Sequence, residues 1–167
     1  LILELKNLIG AGHPILQAAA EHLFSAGGKR LRPGIVFLVS KAISPEFCLT
    51  DKHKRLAEIT EMIHTASLVH DDVVDNSNIR RGFFSVNALW KNKIAVLIGD
   101  FLLAKGLDIS VKKKEFRILE IVSETVQQMS KGELLQIQKS RSLEISEKIY
   151  FEIISKKTAS LISACCE

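Results

Sequence analysis

The chain has 167 residues, 23 of them Lys or Arg and 19 Asp or Glu, for a formal net charge of +4. Hydrophobic residues make up 47% and charged residues 25%, which excludes a disordered tail or an acidic linker and fits one folded domain, or part of one. No apolar run reaches the roughly 18 residues of a membrane-spanning helix, and the opening residues, with Glu4 and Lys6, do not read as a basic-then-apolar leader. Glycines and prolines are few and clustered, and apolar residues recur at helical spacing elsewhere. Pro14 occupies the first turn of a helix predicted over 15–25, which Gly27-Gly28 stops. Pro33 opens a second, to about residue 43, ended by Ser44-Pro45. Thr50 or Asp51 caps a long helix to about residue 75, with Leu56, Ile59, Ile63, Ala66 and Val69 on its buried side. Residues 76–84 form a polar, Gly-containing loop. Helices over 86–90, 93–110, 114–139 and from about 146 onward complete an all-α chain with no repeat or linker. Lys112-Lys113-Lys114 reads as a solvated turn. The last helix stays apolar through Ile153, Ile154, Leu161 and Ile162, so it is expected to be cut in mid-course.

One Trp and one Tyr offer little for base stacking, and no nucleic-acid partner is expected. Cys48 and the adjacent Cys165 and Cys166 form neither a disulfide framework nor a zinc spacing. A reducing, cytoplasmic setting fits them, and Cys165 and Cys166 read as small core residues.

The chemistry centres on His70-Asp71-Asp72-Val73-Val74-Asp75. On a helix, Asp71 and Asp75 stand one turn and about 40° apart, and His64 lies two turns earlier, about 20° from Asp71. Two carboxylates at this spacing repel, and acids at a helix C-terminus oppose the macrodipole. A divalent cation offsets both: Mg²⁺ takes one or two carboxylates, water and phosphate oxygens. Arg80 and Arg81 follow in the loop. Earlier, Lys29, Arg30 and Arg32 sit in a Gly-flanked turn at a helix start, a setting suited to anions. Two cationic clusters beside one metal motif point to substrates that carry phosphate groups.

These stretches resemble the trans-isoprenyl diphosphate synthases, the polyprenyl synthetase family. The resemblance runs through Gly27-Gly28-Lys29-Arg30-Leu31-Arg32-Pro33, then residues 61–75, Arg80-Arg81-Gly82, Gly99-Asp100-Phe101-Leu102-Leu103-Ala104, Gly132-Glu133 with Gln136, and Lys157-Thr158-Ala159. It covers nearly the whole chain in order and spacing. It implies a helical bundle of the isoprenoid synthase type, and a single polyprenyl synthase domain over residues 1–167 that is incomplete at its C-terminus. It further implies that Asp71 and Asp75 bind Mg²⁺ bridging the allylic diphosphate, with Asp72 close by, and that Arg80 holds the same diphosphate. Lys29, Arg32, His64 and Arg81 would hold isopentenyl diphosphate. Lys157 and Thr158 would contact the allylic side, Lys157 near the departing diphosphate. The reaction implied is head-to-tail prenyl transfer onto an allylic primer of farnesyl or geranylgeranyl type, without a side-chain nucleophile.

Ala66 and Ser67, one turn before Asp71, and Ile63, a turn further down, are the chain-length positions by resemblance. Their small size implies an open tunnel and a long product, in the hexaprenyl-to-decaprenyl range. Gln136, where short-chain members often carry an acid, agrees with that type. A homodimer is implied, with the helices over 93–110 and 114–139 as candidate interfaces, together with transient membrane contact for release of a water-insoluble product. One departure from the family pattern is the second Asp-rich motif: no paired Asp follows Asp75. The chain therefore reads as lacking the family's C-terminal half. The alternatives are a non-catalytic regulatory subunit of a heterodimeric synthase, which would not need an intact metal motif, and a terpene cyclase or head-to-head synthase, which would not need the cluster over 27–33.

Overall fold

In the computed structural model, the described residues are 1–10, 12–25, 27–44, 48–142 and 146–167. The helices are α1 (Ile2–Gly10), α2 (Pro14–Ser25), α3 (Leu31–Ile43), α4 (Asp51–Val74), α5 (Val86–Lys112), α6 (Phe116–Ser142), α7 (Glu147–Ile154) and α8 (Ser160–Ala164), with a π-helical turn at Ser155–Ala159 joining the last two. No helix among the described residues is long and apolar enough to cross a membrane. Three boundaries follow the sequence reading closely. Pro14 opens α2, Thr50 precedes α4 and donates its backbone N–H to His53 Nδ1 at 3.1 Å, and Asp75 closes α4. The ending expected at Pro45 lies outside the described residues. Helix α1 has no counterpart in the sequence reading.

Helix α4 is the axis of the bundle. From Ala57 to Ile63 every residue is buried, including Glu58, Thr60 and Glu61, so it has no single buried side of the kind its apolar spacing led one to expect. A helix covered all round belongs at a centre. Helices α3 and α5 pack along it, and α1 pairs with α2. The main core brings together Leu5, Phe24, Met62, Ile98, Val122 and Leu161 from six helices. Gly99 lets α5 close on α4, because the ring of His70 fills the space a Cβ would need. Helix α5 breaks at Lys91, whose φ is 70°, between the two helices expected there.

The loop over 76–84 holds a small antiparallel ribbon, Ile79–Arg80 against Phe83–Phe84. Its two connecting residues, Arg81 and Gly82, have φ values of 54° and 81°, the left-handed pair that a tight hairpin needs. The sequence pattern missed it because each strand is two residues long. Lys112 ends α5, and Lys113 and Lys114 form the exposed turn after it. Cys165 is buried and its thiol is pushed up to about 11, chiefly by desolvation. Cys166, expected in the core, is exposed.

Candidate active site

The last turns of α4 face α6 and the π turn across a cavity of about 540 Å³. Its polar wall includes Arg32, His64, Asp71, Glu133, Lys157 and Thr158, and its apolar wall includes Ile63, Leu103, Val126, Met129 and Ile137. Burial raises the Asp71 carboxyl above the ordinary range. Lys157 opposes that shift, whereas Glu133 and Asp75 add to it. Lys157 Nζ stands 2.5 Å from Glu133 Oε2 and donates to Gln136 Oε1 at 3.2 Å.

A second cavity, of about 410 Å³, lies beside the first and is lined by Gly28, Lys29, Arg30, Leu31, Arg32, Glu61, His64 and Arg81. Arg30 has a left-handed backbone, with φ 48°. Its guanidinium pairs with buried Glu61 and donates to Phe24 O at 3.1 Å. Arg81 reaches across from the ribbon and donates to Gly27 O at 2.7 Å. Arg32 Nη1 donates to His64 Nε2 at 3.0 Å, and Arg32 Nε is buried without a protein partner. Arg32 and His64 line both cavities. One buried carboxylate against three guanidinium groups and an ammonium leaves a net cationic cup suited to an anion.

His64 is held neutral. Its pKa falls from 6.5 to about 3 through burial first, then through Arg32, Arg81, Arg80 and Arg30. The unfolded chain takes up this proton near its ordinary pKa, whereas the folded chain waits until far lower pH. The His64 contribution to stability is therefore complete above the unfolded value and is lost as pH falls toward the folded one. At pH 5 the loss is about 2 kcal/mol. We expect urea midpoints between pH 7 and 5 to fall less steeply in His64→Gln than in the unaltered protein. Parallel slopes in the two proteins would refute the assignment.

Most of the expected site residues gather here: Lys29, Arg32, His64 and Arg81 around the cationic cup, and Asp71, Lys157 and Thr158 around the larger cavity with Ile63 and Ser67. Four other expected residues lie outside the lining of the larger cavity. Ala66 is fully buried in the core and does not line the cavity; the accessible position is Ser67, whose hydroxyl donates to His64 O at 2.9 Å. Asp72 turns away from the cavity, and its buried carboxylate accepts Arg80 Nε and Nη2, both at 2.7 Å. Arg80 is thereby engaged by Asp72 and does not line the cavity with Asp71. Asp75 is exposed, outside that lining. Sequence reasoning passed over Glu61 and Met129. Each had a signal in helical spacing: Glu61 lies three residues before His64 and Met129 four before Glu133.

Among the described residues, no three His, Cys, Asp or Glu side chains converge on one point. Asp71 on the wall of the larger cavity and Asp75 one turn on are oxygen ligands of the kind a hard divalent cation takes.

Residues 13–167 match the polyprenyl synthetase family. The chain belongs to that family. A prenyl transferase of Synechocystis sp. is 51% identical over 160 residues, covering 96% of this chain and 50% of its own length. Solanesyl-diphosphate synthase 2 of Oryza sativa subsp. japonica is 42% identical, with 96% and 41% covered. The crystal structure of a polyprenyl synthase from Caulobacter crescentus, complexed with calcium and isoprenyl diphosphate, superposes with a TM-score of 0.90 at 38% identity, over 99% of this chain and 50% of that one. The chain thus spans about half the length of the curated relatives it matches. Its bundle is an isoprenoid synthase helical fold.

Proposed function

We propose that this chain forms the N-terminal part of a Mg²⁺-dependent trans-polyprenyl diphosphate synthase, which joins isopentenyl diphosphate to an allylic diphosphate and makes a long chain. One observation carries the reading: a cavity lined by Asp71, Lys157 and Thr158 and by apolar Ile63, Leu103, Val126 and Met129 shares Arg32 and His64 with a separate cationic cup. Two diphosphates and one hydrocarbon chain fill such a pair of cavities. A non-catalytic regulatory subunit leaves Asp71 and the cup without a role.

Asp71 and Asp75 would hold Mg²⁺, which when bound neutralises charge on the departing diphosphate. Lys157 and Thr158 bind that diphosphate from the opposite side. Lys29, Arg32 and Arg81 grip the diphosphate of isopentenyl diphosphate, and neutral His64 orients Arg32 by accepting its N–H. The carbon–oxygen bond of the allylic partner breaks, its carbon is attacked by the alkene, and a proton leaves to the released diphosphate. The chain's residues stabilise this charge separation and align the partners. We place the synthase in the cytoplasm as a homodimer, with the product touching a membrane only on release.

The test is product length in the full-length protein. With Mg²⁺, isopentenyl diphosphate and farnesyl diphosphate, the unaltered enzyme is expected to give products longer than geranylgeranyl diphosphate. Ser67→Phe puts a ring into the cavity and is expected to remove several isoprene units. Ala66→Phe forces the same ring into a filled core, at a cost of about 1–3 kcal/mol. Full-length product from Ser67→Phe would exclude this cavity as the tunnel, and no condensation by the unaltered protein would exclude the synthase reading.

A further inference from the structure

The single π-helical turn among the described residues, Ser155–Ala159, carries Lys157 and packs on α6. Such a turn holds one residue more than α-helical winding allows, and these turns concentrate at functional sites. Returning it to α-helical winding would rotate the following side chains by about 100°. Gly132 receives this turn. A Cβ there would stand 2.7 Å from the Lys157 backbone nitrogen and 3.0 Å from the Lys156 Cβ. Glycine in mid-helix is unfavourable relative to alanine, and here its bareness permits the approach. One residue on, Glu133 Oε2 lies 2.5 Å from Lys157 Nζ, and one turn from Gly132, Gln136 Oε1 accepts from the same ammonium at 3.2 Å.

We propose that Gly132, Glu133 and Gln136 act together as a positioning unit for Lys157. The glycine sets the depth at which the π turn seats, and the carboxylate and amide fix the ammonium over the cavity opposite Asp71. None of the three is required to touch substrate; they act through Lys157. This rests on the reading of Lys157 as a diphosphate contact.

A double-mutant cycle in the full-length protein tests it, read as affinity for inorganic pyrophosphate in the presence of Mg²⁺. Gly132→Ala and Lys157→Ala are each expected to weaken binding by about tenfold, and the double variant to bind within about twofold of Lys157→Ala alone, since residues acting through one group do not add. Gln136→Leu enters the same cycle and carries it where Gly132→Ala does not fold. In turnover, Gly132→Ala should raise the allylic KM and leave the isopentenyl diphosphate KM unchanged, a split that general loosening of the bundle would not produce. Full additivity, or no effect of Gly132→Ala and Gln136→Leu, overturns the proposal. Unchanged pyrophosphate binding in Lys157→Ala overturns the underlying role of Lys157 and the positioning unit with it, and that failure is visible in the single variant.

Discussion

Asp71→Asn is expected to lower Mg²⁺-dependent prenyl transfer by roughly a thousandfold while leaving the protein as stable as before, or more so. The loss of rate follows from removing a carboxylate that would hold Mg²⁺ against the departing diphosphate; single groups that serve charge stabilisation in the transition state are worth roughly 10²–10³ in turnover. The gain in stability follows from the environment of the carboxyl. Burial, Glu133 and Asp75 all push its pKa up, so in the metal-free protein the ionised form is penalised relative to the unfolded chain. The penalty is absent at low pH, where the carboxyl is protonated in both states, and grows as pH rises through the unfolded value. Asparagine keeps the shape and removes the charge. Rate and urea midpoint should therefore move in opposite directions, as they do where a site holds strain for function. An unchanged rate would defeat the metal assignment, and a large fall in midpoint would mark Asp71 as structural.

Most helices were legible because a boundary carried local chemistry, such as Pro14 at the start of α2 and Thr50 before α4; α1 was not. Nor was the covering of α4 on every side, since Glu58, Thr60 and Glu61 look like a polar face until Glu58 is seen near Glu4 of α1, Thr60 beside α6 and α8, and Glu61 paired with Arg30. The site divided in the same way. Spacing alone brought His64 and Asp71 to one stripe, and both line the larger cavity. Ala66 and Ser67 are neighbours in sequence but stand about 100° apart around the helix, which is enough to bury one and expose the other to the cavity. The identity of Asp72's partner depends on the ribbon, an element too short to produce a sequence pattern.

The second large effect belongs to that partner. Arg80→Ala is expected to destabilise the protein by about 3 kcal/mol and Asp72→Ala by about 2, an inversion of the order that a metal-binding Asp72 would give. The asymmetry comes from burial. The Asp72 side chain is 3% exposed and that of Arg80 35%. Removing the arginine strands a carboxylate in the interior, whereas removing the carboxylate leaves a guanidinium that water partly reaches. The pair ties the ribbon to α4, and separate bonds hold the same corner: Asn87 Nδ2 donates to Asp72 O at 3.3 Å and to Ser77 O at 3.0 Å, and Ser85 Oγ donates to Ser77 O at 2.7 Å. Arg81 stands next to Arg80, so loss of the pair should loosen its hold on Gly27 and raise the KM for isopentenyl diphosphate. Asp72→Asn should leave the Mg²⁺ concentration for half-maximal rate unchanged. Urea titration of the two alanine variants and a Mg²⁺ titration of the asparagine variant decide the matter; a raised Mg²⁺ requirement in Asp72→Asn would place this carboxylate in the metal site.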